Sequence, residues 1–560
     1  NSMDWQKTGL IAGMAIVSWL LVIQWNQFQD NQIELSQATL VQEPTYFSDS
    51  EPSGFLENGN VDSELPLLQQ PISIPQENPE RNRDFIIVKN NVVEVTIDTL
   101  GGDIVDAKLL KHLDKMPNLG GKPLAILQQN KTVTYIAKSG LIGPNATDKN
   151  NNRPQFASSS NRYEIQDYQE TMNVDLTLNM DGVKIVKRFQ LSQDGYDISV
   201  QYLINNLTSS EFNANFYGQI KRDSKPPGGS ASALGVQPYL GAALREPETN
   251  YAKYDFSEIE EASVKASITG GWITMIQHYF IGAWIPPTDD QNRYELRKVK
   301  DEDVYLMSFI GAPIIVDAGQ FGSYEATFYV GPKDQEELSK LAEYLDLTVD
   351  YGFLWMIGKP IFFAMKAIHG VIGNWGWSII LLTLLIKLLL FPLSAASLKS
   401  MAKMRNLQPE MARLKELYGD DRQKMSQETM SLYKKEKVNP AGGCFPMLLQ
   451  MPVFLSLYWV LLESVEIRHA PWVFWIQDLS AKDPYFILPL VMGASMLLMQ
   501  KMQPMPTDPM QAKIMQFMPI GFTFLFMTFP SGLVLYWTVN NILSMAPQWY
   551  VNRQLISKKK

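Results

Sequence analysis

From residue 373 onward the chain carries five apolar stretches, at about 373–395, 441–463, 485–501, 511–529 and 532–550, each near the length a bilayer demands. Nothing else in the sequence narrows the possible folds so far. Hydrocarbon offers no partner to a backbone N–H or C=O, so segments of this kind must satisfy their own hydrogen bonds and are read as α-helices. Pro446, Pro452, Pro489 and Pro519 lie inside them and predict kinks. A further stretch, "TGLIAGMAIVSWLLVIQW", runs between Trp5 and Trp25, two aromatic residues suited to opposite interfaces. Asn1-Ser2 read as foreign to a chain starting at Met3, which sets the anchor at 3–25. Gln, Trp, Asn, Gln and Phe follow Ile23 with no small-x-small pattern, favouring an uncleaved anchor over a signal peptide.

The average composition hides a division. After residue 350 there are 21 Lys+Arg against 11 Asp+Glu, leaving 28 of the chain's 49 basic residues and 47 of its 58 acidic ones in the first part. An acidic part and a basic part are expected in different surroundings. Residues 26–83 are rich in Gln, Asn, Glu, Ser and Pro, as in "PQENPERNRD", and read as a flexible linker. From 84 to 345 short alternating runs are bounded by turn residues; "VDLTLNM" and "VKIVKRFQL" are separated by Asp181-Gly182, a strong hairpin signal. This region is expected to be one large, acidic β-sandwich. Trp272, His278 and Tyr279 suggest a sugar pocket, but "GWITMIQHYFIGAWI" reads better as a buried strand pair. Residues 351–372 place Lys359, Lys366 and His369 near one side of an apolar segment, the pattern of an interfacial amphipathic helix.

Charge parity tests the count of spans. With the N-terminus inside, the β-domain falls outside and 396–440, holding ten Lys and Arg, falls inside. Lys501, Lys513 and the basic tail 551–560 also fall inside, as the positive-inside rule requires. Counting 351–372 as a span would put the most basic loop outside, so six spans are expected. The 396–440 loop reads as a helical hairpin, with Met404, Leu407, Met411, Leu414 and Tyr418 at spacings of three and four. A turn at Gly419-Asp420-Asp421 leads to a second helix ending at Pro440. Met404, Arg405, Arg413, Lys415, Asp420, Lys434 and Lys435 form either a solvated charged face over an ordinary seam or a docking surface.

Lys387 stands inside "SIILLTLLIKLLLFP", ten residues after Trp377 and therefore roughly 15 Å deeper along a helix. A charge there costs a few kcal/mol, about 2.5–3.5 at a span centre on insertion scales. It either snorkels to the cytoplasmic headgroups or lines a wet cavity. Thr383 lies one turn away, and Gln450, Gln516, Thr523, Tyr536, Trp537, Thr538, Asn540 and Asn541 place more polar groups in the other spans. Trp537, Asn540 and Asn541 share one helix face, with helix–helix hydrogen bonding as the competing role for the asparagines.

No enzyme chemistry is signalled. A single cysteine, Cys444, excludes a thiolate cluster, and the four histidines have no ligand spacing. No GxxxxGK[ST] occurs, and no cofactor or direct nucleic-acid substrate is expected.

The strings "SMAKMRNLQPE", "KVNPAGGCFPMLLQMPVFLSLYWVL", "DLSAKDPYFILP", "TDPMQAKIMQFMP" and "FPSGLVLYW" resemble the YidC family of bacterial membrane protein insertases. The likeness extends over essentially the whole chain, in the Gram-negative arrangement. It implies a polytopic α-helical protein of the inner membrane with six transmembrane helices, five of them a core, and a large periplasmic all-β supersandwich of mutarotase type. It implies a groove open to cytoplasm and lipid, with a single positive charge at the position of Lys387, where the family usually has arginine, and substrate contacts at Thr383 and Trp537. Nascent membrane proteins, the ribosome, the Sec translocon and the lipid bilayer are the partners it implies. Two other classes stand beside this one: a secondary transporter of a small anion, which predicts internal repeats that the sequence lacks, and a membrane-anchored periplasmic carbohydrate-binding protein.

Overall fold

The computed structural model describes residues 84–149, 152–227, 238–419, 421–436, 438, 445–502 and 509–557; the expected anchor and linker lie outside them. Two compact units emerge. One holds the described residues up to Lys359 together with Tyr458–Ala481; the other holds Pro360–Leu457 and the described residues from Lys482 on.

In the first unit, nineteen strands among the described residues make a ten-stranded and a nine-stranded sheet. Strands such as Val183–Ser192 and Asp197–Asn206 bury alternate residues, as their alternating sequence requires when one sheet face meets a core. The two sheets share that core: Phe216 of the first stacks on Tyr324 of the second at 5.0 Å, and Trp284 of the second lies 6.1 Å from Phe309 of the first. The hairpin at Asp181-Gly182 is present, with Met180 paired to Val183 and both turn residues at positive φ, 46° and 86°. "ITMIQ" and "FIGAWI" are adjacent antiparallel strands, all of whose residues are buried.

Charges are buried between the sheets. Lys187, fully buried, donates to the carbonyls of Gly101 and Ser139, both at 2.9 Å. Arg153 bonds Asp103, Asp148 and the Tyr217 hydroxyl, and donates to the same two carbonyls. Alternating-run logic finds the strands but not this network, because Lys187 sits in phase with the apolar residues Ile185 and Phe189.

The span read over 441–463 and the loop after it contribute Tyr458–Ala481 to this β unit. Lys333 and Glu463, both nearly excluded from solvent, pair at 2.5 Å, and Lys333 also donates to the Thr348 carbonyl. His278 Nε2 lies 2.9 Å from the Leu462 carbonyl, and Arg468 donates to the Leu113 carbonyl at 2.6 Å. Trp272 is buried with Nε1 donating to Glu343 O at 3.0 Å. Trp272 and His278 are thus held by the chain's own backbone, and Tyr279 is buried beside His278.

Burial lowers His278 to about 3, with Lys333 and Arg468 acting in the same direction and the Leu462 carbonyl against it; burial lowers His112 to about 4, with Arg468 and His469 adding to the shift. An unfolded chain protonates these rings near 6.5. Between those values the unfolded state binds more protons, so the unit's stability rises with pH and is lost as pH falls from 6.5 toward 3. We expect the thermal midpoint of the β unit, followed by amide exchange in the full chain, to fall on going from pH 7 to pH 4, and less steeply in His278→Gln.

The helices are α1 Phe256–Glu261, α2 Gln335–Leu341, α3 Trp355–Ile372, α4 Trp375–Leu389, α5 Phe391–Asn406, α6 Gln408–Tyr418, α7 Arg422–Lys435, α8 Phe445–Glu463, α9 Ile487–Lys501, α10 Pro509–Phe526 and α11 Ser531–Ser557. Among the described residues no helix is long and apolar enough to cross a membrane. The stretch 373–395 is interrupted at Leu390: α4 ends there and Pro392, lacking an N–H, sits in the first turn of α5. Pro409 likewise splits the first arm of the expected hairpin at Leu407, giving α5 and α6. Asp421 caps α7 by accepting from Gln423 N and Lys424 N, and that helix ends at Lys435, short of Pro440. The interfacial segment forms α3, with Trp355, Met356, Phe363 and Val371 exposed.

Candidate functional site

Helix α11 begins at the turn after Pro530, where Leu533 N and Val534 N return to the Pro530 carbonyl. Its residues Trp537, Asn540, Asn541 and Ser544 recur at spacings of three and four and form one stripe. Helix α4 starts with Asn374 as its cap, accepting from Trp377 N. Three turns on, Lys387 Nζ donates to Ser544 Oγ of α11 at 2.8 Å, and Ser544 Oγ donates to Asn540 O at 2.6 Å. Lys387 is half-buried and forms no ion pair among the described residues. Ser544 is the residue that sequence reasoning missed. Its place one turn beyond Asn540 and Asn541 on the same face is the one signal by which the sequence could have shown it.

The stripe also carries polar atoms without a partner among the described residues. Trp537 Nε1 and Asn540 Oδ1 are both buried and unbonded. A buried donor or acceptor left unmade costs about 1–3 kcal/mol, so such atoms call for water or a visiting polar group. Aromatic rings fix the Trp537 side chain, with Phe454 edge-on at 4.7 Å and Phe526 at 5.5 Å. Tyr536 is buried and bonds Gln450 of α8.

Not every predicted residue joins this group. Thr383 is buried one turn from Lys387, but its hydroxyl is used on the Ile379 carbonyl at 2.6 Å. Asn541 Nδ2 donates to Ser495 Oγ of α9 at 2.9 Å, which gives it a helix–helix bond. Gln516 is exposed on α10. In the basic segment, Met404 is half-buried on α5, Arg405 lies in the same helix, Arg413 and Lys415 are exposed on α6, and Lys434 and Lys435 are exposed in the last turn of α7. Cations there favour the helix carboxyl end. Met411 and Tyr433 are the deeply buried side chains of α6 and α7, and Asp420 lies outside the described residues.

The arrangement offers a cation, an indole N–H, an amide oxygen and hydroxyls, with no nucleophile–base pair. It suits transient hydrogen bonding to polar groups rather than covalent chemistry.

Comparison with known proteins gives a consistent picture. Residues 86–364 match the family described as YidC periplasmic domain, and residues 367–559 match the one described as 60Kd inner membrane protein. A protein from Cellvibrio japonicus named membrane protein insertase YidC is 50% identical over 554 residues, covering 99% of each chain. One of the same name from Stutzerimonas stutzeri is 46% identical over 559 residues, again covering 99% of each. Among solved structures, an active YidC insertase crystal structure with its first transmembrane domain resolved matches at 18% identity and a TM-score of 0.38, over 84% of this chain and 93% of that one.

Proposed function

Because the chain belongs to the YidC family of membrane protein insertases, which are not enzymes, we propose that it inserts nascent membrane proteins by way of the polar stripe between α4 and α11. The observation that carries this reading is the coincidence, on one stripe, of the Lys387–Ser544 contact with two buried, unbonded polar atoms at Trp537 and Asn540. A substrate's short hydrophilic segment replaces the missing hydrogen bonds while its apolar segment partitions into lipid. Lys387 attracts acidic segments; two unit charges 4 Å apart interact by about 1 kcal/mol in water and about 4 at an effective dielectric of 20.

In the same reading the chain spans the bacterial inner membrane six times, five helices form the insertase core, both termini are cytoplasmic, and the β unit is a periplasmic supersandwich. Charge parity of the loops supports this topology. The exposed cations Arg413, Lys415, Lys434 and Lys435 form the docking face for a ribosome, and the chain works alone or beside the Sec translocon. With no nucleotide motif in the sequence, hydrophobic partitioning and the membrane potential supply the energy.

The test is insertion by the full chain, alone in proteoliposomes, of a small protein with an acidic translocated segment, read by protease protection. Lys387→Ala is expected to reduce insertion about tenfold, matching the loss of ~1.4 kcal/mol of attraction, and Lys387→Arg to retain it. Equal insertion by Lys387→Ala contradicts the proposal.

A further inference from the structure

The segment between α8 and α9 contains a loop that no part of the insertion reading uses. Its ends are tied: Asp478 Oδ1 accepts from His469 N at 3.1 Å, Ser480 N at 2.8 Å and Ser480 Oγ at 2.6 Å, and Leu479 N donates to Ala470 O at 3.0 Å. Its inner side chains Ala470, Ile476 and Leu479 are buried and its ends lie close together, so the loop is a compact Ω-shaped segment of the β unit. Trp472 N to Ile476 O at 3.0 Å and Ile476 N to Val473 O at 3.2 Å close the tip.

What the tip does with Phe474 is unusual. The ring is 83% exposed, and the backbone is held at φ +54°, a region a bulky aromatic residue rarely adopts. Gln477 Nε2 fixes this conformation by donating to Phe474 O at 2.6 Å. Trp475 stacks beside it with ring centroids 6.1 Å apart. A loop that only needed to connect two helices has no reason to hold an aromatic side chain outward on strained backbone. Such outliers are retained where the presented side chain has a use.

We propose that Phe474 and Trp475 form a membrane-interface anchor, a preformed aromatic wedge that enters the headgroup layer of the bilayer. The tip "PWVFWIQ", 471–477, has no charged residue, so entering that layer strips no ion of its water; the flanking charges Arg468, Asp478 and Lys482 lie at the base. Tryptophan is enriched at membrane–water interfaces, and a phenylalanine beside it supplies the apolar surface that an interfacial segment buries at the headgroup–acyl boundary. Phe474 follows the end of α8 by eleven residues and precedes α9 by thirteen, so the loop is tethered on both sides to helices read as membrane spans. The inference rests on the proposed reading of α8 and α9 as membrane spans, and its failure leaves the Lys387 experiment untouched.

The test uses the full wild-type chain in nanodiscs of phosphatidylethanolamine and phosphatidylglycerol doped with a phospholipid carrying a headgroup-proximal diazirine. After photolysis and digestion, adducts are expected on Phe474 and Trp475, at a yield comparable with exposed Trp355 of α3, and absent from Tyr168, an 85% exposed residue of the β unit. Phe474→Asp should lower adduct yield on Trp475 at least fivefold while leaving that on Trp355 unchanged. Absence of adducts on 471–477 while Trp355 is labelled would overturn the proposal, as would an unchanged yield in Phe474→Asp. Labelling only after a second protein is added would also overturn it and assign the tip to protein docking.

Discussion

Replacing Lys333 with methionine is expected to destabilise the β unit by about 3–5 kcal/mol, because it leaves the Glu463 carboxylate buried without its counter-charge. The pair lies at 2.5 Å and both residues are nearly excluded from solvent, so neither water nor rotation to the surface compensates the loss. Read by amide exchange of the Phe280–Ile285 strand in the full chain, this corresponds to opening about a hundredfold or more faster, at ~1.4 kcal/mol per factor of ten. Lys333→Met combined with Glu463→Leu should return within about 1 kcal/mol of wild type, since a buried ion pair replaced by apolar groups is often neutral. If the single substitution is as mild as the double, Glu463 is not confined as the structure has it. The same contact, with those of Leu462 and Arg468, joins Tyr458–Ala481, which includes the end of α8, to the β unit.

A second large effect is expected at Arg153. Its guanidinium is the shared partner of Asp103 and Asp148, both buried, and Arg153→Met strands two carboxylates in the space between the sheets. One such charge already costs about 3–5 kcal/mol, so the β unit is expected not to accumulate as a folded, protease-resistant domain at 37 °C. Lys187 does not substitute for it. Its ammonium already serves the Gly101 and Ser139 carbonyls. Wild-type levels of protease-resistant β unit in Arg153→Met would show that the network is dispensable.

These two sites mark where sequence reasoning stopped. Alternation and turn chemistry were enough for the sandwich: the Asp181-Gly182 turn and the buried strand pair around His278 follow from residue type and period alone. Buried charges are different, because Lys187 and Arg153 obtain partners from strands and loops distant in sequence, and no local pattern encodes that. The helical part divides in the same way. Polar residues sharing one face of the last helix are visible from spacing, but their separate uses are not. Asn541 is committed to Ser495, while Asn540 keeps an oxygen without a partner among the described residues. Pro392 and Pro409 were in plain view, yet hydropathy and periodicity ran through them; the missing N–H decided the helix ends. The Lys387–Ser544 contact needed the packing of α4 on α11 before the hydroxyl had any meaning.

If Lys387 acts on substrates through its charge, as proposed above, a charge swap changes which substrate is favoured. Full chain carrying Lys387→Glu is placed in proteoliposomes without a membrane potential, so that the field itself favours neither sign. It is offered two forms of one substrate, whose short translocated segment carries either acidic residues or lysines at the same positions. Wild type is expected to prefer the acidic form and Lys387→Glu to reverse the preference, each by about tenfold, the ~1.4 kcal/mol of one screened charge pair. Insertion of the acidic form by Lys387→Glu as efficiently as by wild type would contradict the proposal.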